Sequence, residues 1–177
     1  FIQMKFENID VISPALFPAE QWNEAEVLGA MTWLWFVSEN CKHLSVSDLA
    51  LQVLPTIKSR QFALLSQNSQ PLGYISWANL DANQEAEYVH SERWIYTHPN
   101  WNSGDRMWLI HWFAPHGQSK LIKRIVENDL FPEQCFRALY HKGDIYGLKI
   151  MNFHGKLVEK TAANAWIKQH PILAKTH

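Results

Sequence analysis

Cysteine is scarce in this chain: Cys41 and Cys135 are the only two among 177 residues. That is too few for a disulfide framework, so each is expected to stay a thiol in a reducing compartment. Glycine is scarce too, with seven against nine tryptophans. None of the seven falls in a Gly-x-Gly-x-x-Gly or Walker-type loop, which removes support for nucleotide binding through such loops. The Gly-x-Ser-x-Gly signature of hydrolases is likewise absent. No apolar run reaches the roughly 18 to 20 residues that span a bilayer. The N-terminus lacks the basic, apolar, small-residue order of a secretory signal, so the expected location is cytoplasmic. Neither sign of charge dominates: 16 Lys and Arg stand against 17 Asp and Glu. With a pI near 6.8 there is no basic field to hold nucleic acid or an anionic membrane. Nine histidines are present, yet no two have the four-residue helical spacing of a zincin, and no metal site is expected.

What is present is a globular composition, 47% hydrophobic and 19% charged, which predicts a sizeable core in one domain. Residues 1–22, with Pro14 and Pro18, read as an extension, and 23–177 as the domain. The tryptophans suit both cores and binding surfaces, so some of their rings are expected along a groove. From Glu24 the spacing of Val27, Leu28, Met31, Leu34 and Trp35 predicts a helix ending near Ser38. Ser45 or Ser47 can cap a second helix whose apolar residues are Leu49, Ala50, Val53 and Leu54. Cys41, Lys42 and His43 then lie on the loop between them. The runs 61–65 and 72–77 predict a hairpin with a longer loop over Ser66–Pro71. An acidic helical segment follows around 81–93. Arg106–Phe113 is the clearest strand, with Met107, Leu109, His111 and Phe113 on one face and Trp108, Ile110 and Trp112 on the other. Ala114-Pro115-His116-Gly117 ends it. A helix with Leu121, Ile122, Ile125 and Val126 comes next. Strands over 135–140 and 145–153 are joined by a turn at Lys142-Gly143-Asp144, and a helix over 160–170 closes the chain.

An ordered set of segments says more. Glu26-Val27-Leu28-Gly29, Trp33-Leu34-Trp35-x-x-Ser38 and Val53-Leu54-Pro55-x-Ile57 are followed by Gln61-x-Ala63-Leu64-Leu65 and Ser76-Trp77-Ala78-Asn79-Leu80. Then come Ser103-Gly104-Asp105-Arg106-x-Trp108-x-Ile110-x-Trp112-x-Ala114-Pro115-x-Gly117, Phe136-Arg137-Ala138 and Phe153-His154-Gly155. Over roughly residues 24–170 this series resembles the RTX-toxin-activating lysine acyltransferases, the haemolysin-activating C proteins. The resemblance implies an α/β fold like that of the GNAT acyltransferases, with a central mixed, mainly antiparallel sheet flanked by helices. It implies transfer of a fatty acyl group from acyl carrier protein, as its 4'-phosphopantetheine thioester, to internal lysines of an RTX protoxin. No bound cofactor is implied, and a homodimer is left open.

Two departures from the family fall where they matter most. The family's catalytic histidine follows the Trp-Leu-Trp segment in a Ser-Pro-x-His pattern, and an ungapped count from Ser38 reaches Cys41, with His43 two residues on. The family's catalytic aspartate falls where His111 stands. His116 and Gln118 also replace the usual Phe and Asp. Acylating a lysine, whose ordinary pKa is about 10.4, needs a base and a stabilised oxyanion. Two routes follow. Cys41 and His111 can act as a thiol and imidazole pair that takes the acyl group and passes it on, or His43 can act as base for direct transfer with His111 as its partner. Against these stand Cys41 as a small core residue and His111 as a hydrogen-bonded, semi-buried one. Cys135 reads as structural. Asp105 and Arg106 are expected to hold the strand entrance or each other, and Ser38 to cap or orient the loop. Lys120, Lys123 and Arg124, which can share one helical face, are the expected contacts for the acidic carrier, with Lys42 beside them. Two other classes compete. One is an altered family member that only binds carrier protein or a protein substrate. The other is an acyl-CoA N-acyltransferase, disfavoured because the turn 114–120 lacks a Gly-rich pyrophosphate cradle.

Overall fold

The computed structural model describes residues 4–142 and 145–174. The periodicity that starts at Glu24 becomes helix α1, Glu24–Val37. Asn23 opens it by accepting the Glu26 main-chain N–H at 3.1 Å, and Glu24 and Glu26 put negative charge where the helix dipole favours it. Helix α2, Val46–Ser59, begins at Ser45 and not at Ser47. The Ser45 hydroxyl accepts the Asp48 N–H at 3.1 Å, while the Asp48 carboxylate accepts the Ser45 N–H at 2.9 Å, a reciprocal cap. The Ser45 hydroxyl also donates to the Asp48 carboxylate at 2.6 Å, and this bond, with the Ser45 main-chain N–H, holds the Asp48 carboxyl below the usual carboxylate range. Leu49 and Val53 are buried as expected, but Leu54 is 37% exposed. Because the helix runs past Pro55, the buried stripe continues through Thr56 and Ile57 instead.

Seven strands form one sheet in chain order: β1 Met4–Phe6, β2 Ile9–Ile12, β3 Phe62–Gln67, β4 Gln70–Leu80, β5 Arg106–Phe113, β6 Cys135–Lys142 and β7 Ile145–His154. The pairs β1–β2, β2–β3, β3–β4 and β6–β7 are antiparallel and β5–β6 is parallel. This is the mixed, mainly antiparallel sheet of the GNAT-like reading. Residues 4–12, expected to lie in an extension, are instead sheet strands: Ile9 and Val11 alternate into the core, a signal too short to register as periodicity. The loop expected over Ser66–Pro71 is tighter. Asn68 and Ser69, with φ of 50° and 63°, make a two-residue turn, and the strands extend to meet it. Of the expected turn at 142–144, Gly143 and Asp144 lie outside the described residues.

The chain divides into two compact units, Phe1–Ser76 with His111–Ile125, and Trp77–Ile110 with Val126–His177. In the first, α1, α2 and the sheet close over Val27, Met31, Leu34, Trp35, Phe62 and Tyr74. It also holds α4, Ser119–Ile125, which buries Ile122 and Ile125. In the second, α3, Ala82–His90, starts at Asp81, whose side chain accepts the Gln84 N–H at 2.8 Å. A 3₁₀ turn over Trp94–Thr97 that the sequence did not announce, a π turn over Val126–Leu130 and α5, Lys160–Gln169, complete it. Its core is tryptophan-rich, with Trp94, Trp101 and Trp108 around Tyr88. Trp35, Trp77, Trp94, Trp101 and Trp108 are all buried, so most of the indoles fill cores and do not line a groove. Two glycines of the quoted segments mark close backbone approaches. A Cβ on Gly104 would lie 2.6 Å from the Leu80 carbonyl, and one on Gly155 would lie 2.1 Å from that of Phe131.

Candidate active site

Cys41 sits on the turn that links α1 to α2. Ser38 ends α1 and organises the turn, as its carbonyl accepts the N–H groups of Cys41 at 3.1 Å and Lys42 at 3.0 Å. Ser38 is buried, and its side chain hydrogen-bonds the Cys41 thiol. The thiol is half-buried and packs against the cluster that contains Trp35 and Tyr74. Burial pushes the Cys41 thiol up, with the Ser38 bond opposing, so at neutral pH it stays protonated until a base acts on it. The Tyr74 phenol is fully buried and accepts the Trp35 indole N–H at 2.9 Å. Burial holds this phenol neutral far above its ordinary range, with the Trp35 bond opposing.

His111 lies within the same unit on β5, half-buried and not sealed in the core. Its ring centroid is 5.8 Å from that of Tyr74. Three polar side chains close on the imidazole. Ser76 of β4 places Oγ 2.7 Å from Nδ1 and accepts the His111 main-chain N–H at 3.2 Å. Thr56 of α2 places Oγ1 3.3 Å from Nδ1, and Gln52, one turn earlier, places Oε1 3.3 Å from Nε2. Thr56 and Ser76 are themselves fully buried. Tyr74 thus neighbours the His111 ring and belongs to the cluster against which Cys41 packs.

The other expected residues are dispersed or engaged. His43 is exposed on its loop. Lys42 pairs with Glu39 at 2.5 Å, and Arg124 with Glu7 at 2.9 Å. Lys120, Lys123 and Arg124 are all on the exposed side of α4. Asp105 and Arg106 do not hold each other: Asp105 meets His170 at 3.2 Å, a bond that lowers its carboxyl pKa, and Arg106 meets buried Glu85 at 2.7 Å. Glu85 also accepts from Arg137 at 2.9 Å and the Trp108 indole at 2.7 Å. Cys135, its thiol raised by burial, lines a small cavity with Asn152, Lys160 and Trp166. Among the described residues no group of three or more His, Cys, Asp or Glu is placed to hold a metal ion, and no helix is long and apolar enough to cross a membrane.

Gln52, Thr56 and Tyr74 escaped the sequence reading, and Ser76 entered it only as part of a quoted segment. The available signal was Gln52 and Thr56 four apart on α2, which puts two polar groups on one helical face. The partner that gives that spacing meaning, His111, is 55 residues from Thr56.

The chain matches the RTX toxin acyltransferase family over residues 20–154, a stretch that includes Cys41, His43, the His111 cradle and α4. It is 36% identical over 148 residues to the protein-lysine myristoyltransferase HlyC of Escherichia coli, covering 84% of this chain and 86% of that protein. It is 38% identical over 152 residues to the leukotoxin-activating lysine-acyltransferase LtxC of Aggregatibacter actinomycetemcomitans, covering 85% and 89%. To the leukotoxin-activating lysine-acyltransferase LktC serotype T3 of Mannheimia haemolytica it is 40% identical over 144 residues, covering 79% and 84%. With its family segments carried on a mixed sheet flanked by helices, the chain belongs to the RTX toxin acyltransferase family.

Proposed function

We propose that this protein is a cytoplasmic protein-lysine fatty acyltransferase that moves an acyl group from acyl carrier protein to internal lysines of an RTX protoxin, and that Cys41 and His111 replace the family's usual histidine and aspartate. What supports this reading is that Cys41 packs against the buried cluster containing Tyr74, whose ring lies 5.8 Å from that of His111, in a chain whose match to the family spans both. A protein-lysine myristoyltransferase and toxin-activating lysine acyltransferases among its relatives supply the substrate class.

In the first step His111 takes the Cys41 proton. The sulfur attacks the carrier's thioester carbon, a new C–S bond forms, the old one breaks, and the carrier thiol leaves with the proton. In the second step the lysine amine attacks the Cys41 thioester. An amide N–C bond forms, the C–S bond breaks, and the amine's proton returns to the Cys41 sulfur. The raised thiol pKa makes the base necessary. His43 is exposed, whereas the half-buried Cys41 packs against the cluster that contains Tyr74, which favours the thiol route.

The test is to incubate the protein with acyl carrier proteins loaded with acyl groups of several lengths and to measure intact mass. Mass gain by one acyl group, discharged on adding a protoxin that becomes acylated, is the expected result. Carrier binding without any transfer would reject the enzyme and leave a binding module.

A further inference from the structure

Exposed apolar surface is concentrated beside Cys41. Trp33, Phe36, Leu44, Val46, Leu51 and Leu54 are six of the ten large hydrophobic side chains that the described residues leave to solvent, and all six lie in the unit that holds Cys41. A concentration of this kind, unlike a single exposed leucine, marks a binding surface. Three of the six adjoin the thiol's own turn. Phe36, 60% exposed, is two residues before Ser38, whose carbonyl accepts the Cys41 N–H at 3.1 Å. The Leu44 N–H donates to the Cys41 carbonyl at 3.0 Å. Val46, 76% exposed, follows two residues later as the first residue of α2. With 3.8 Å between consecutive Cα atoms, Phe36 and Val46 are within about 8 Å of residues bonded to Cys41. Trp33, three residues before Phe36 on α1, continues the same helical face.

We propose that Phe36, Leu44 and Val46 receive the alkyl chain of the transferred acyl group. This rests on the proposed function, in which Cys41 carries that group as a thioester. The acyl carbonyl carbon is then fixed at the sulfur. The inner side of the turn is closed by the packed cluster of Trp35 and Tyr74, so the chain runs outward, over the side chains around the turn. A fatty chain that fills one leaflet reaches about 15 Å, half the thickness of a bilayer core, which puts all three side chains within its length. Each methylene that leaves water for apolar surface improves binding up to about fourfold, and this gives the surface a means of favouring long acyl groups over short ones. The acidic carrier itself is a poorer fit, because its charge is met by cations and not by Phe36 or Val46. A second copy of the chain seated here would cover the turn and shut out both the carrier and the acceptor lysine. The alkyl chain is the one occupant that has to be beside the turn whenever Cys41 is loaded.

The test sets butyryl against myristoyl carrier protein, with the full chain and with a double variant, Phe36→Ser with Val46→Ser. Binding is measured by calorimetry with the acyl group joined to the carrier through an unreactive amide, and transfer is measured as kcat/KM with the thioester. The wild type should favour the myristoyl carrier in both. The double variant should lose about tenfold for the myristoyl carrier and stay within about twofold for the butyryl one. Leu157→Ser, at an exposed position in the other unit, should change neither. Phe36→Gln alone stands in if the double variant does not fold. Equal losses at the two chain lengths, or no loss at either, overturn the alkyl surface. So does a double variant that dissociates a wild-type dimer and keeps the chain-length preference, which would give this surface to a second copy. A wild type whose binding preference for the myristoyl carrier is lost in the double variant, but which never acquires an acyl group, would instead overturn the thioester on Cys41 and leave the alkyl surface standing.

Discussion

Cys41 and Cys135 are both half-buried thiols whose pKa burial raises, yet they are expected to behave differently. Cys41 has Ser38 bonded to it and packs against the cluster that contains Tyr74, whereas Cys135 lines a cavity on β6. Cys41→Ala should abolish a hydroxylamine-sensitive acyl adduct and remove most turnover, about 100-fold or more for loss of a nucleophile. Cys135→Ala should do neither. Full turnover by Cys41→Ala would end the thiol route and return the reaction to His43. The pH dependence has a definite sign. A thiol raised above its ordinary value is neutral throughout the neutral range, so alkylation of Cys41 by iodoacetamide should reach half its limiting rate above the roughly 8.5 of an unperturbed cysteine. The neutral form is the one the fold stabilises, so this contribution to stability is complete below the unfolded pKa and is lost as pH rises through the folded one. Alkylation with a midpoint at or below the free value would contradict the burial described for the thiol.

At the scale of elements, helix α3 is anchored by Glu85, fully buried and shared by Arg106, Arg137 and Trp108. Arg137 in turn donates to the His170 carbonyl at 2.6 Å and lies over the Trp166 ring, so one carboxylate ties α3, β5 and β6 to the end of α5. Glu85→Ala leaves two guanidinium groups short of their counter-charge and should destabilise by about 3–5 kcal/mol in chemical denaturation. A loss below about 1 kcal/mol would show that the carbonyls alone satisfy the arginines. Ser45→Ala, which removes the reciprocal cap on α2, should cost about 1 kcal/mol by the same measurement. These elements were unequally legible. α1, α2 and β5 could be read because their apolar spacing is local and their faces are buried. β1 and β2 could not: three or four residues hold too few alternations, and their burial comes from partners such as Leu64 and Leu65 over 50 positions away. The site divides in the same way. Cys41 and His111 were visible through the family's ordered segments, whereas Gln52, Thr56 and Tyr74 have meaning only through neighbours brought close by folding. Glu85 was hidden for the same reason, lying in a segment that reads as a solvated acidic helix.

The molecule as a whole carries a net charge of −1, so attraction of the proposed acidic carrier protein would have to be local. α4 offers Lys120, Lys123 and Arg124 on exposed positions, and the Arg124 pair with Glu7, more than half exposed on both sides, is the kind worth well under about 1 kcal/mol. Reversing Lys120 and Arg124 to Glu should therefore leave the melting temperature nearly unchanged while raising the apparent KM for acylated carrier about tenfold, and added salt should weaken the wild-type interaction. Carrier binding that ignores both salt and the reversal would remove α4 as the docking surface.

The parallel pairing of β5 with β6, Trp108 opposite Arg137 and Leu109 opposite Ala138, bears on the order in which the chain assembles. The antiparallel partners β3–β4 and β6–β7 are neighbours in sequence and can pair within microseconds. A parallel ladder lacks that advantage. The long crossover between Phe113 and Cys135 has to close before it gains a single bond. The strand that carries His111 is thus expected to be completed on that edge late in folding, after the local hairpins have formed, so that a refolding chain regains it as one of its slower steps.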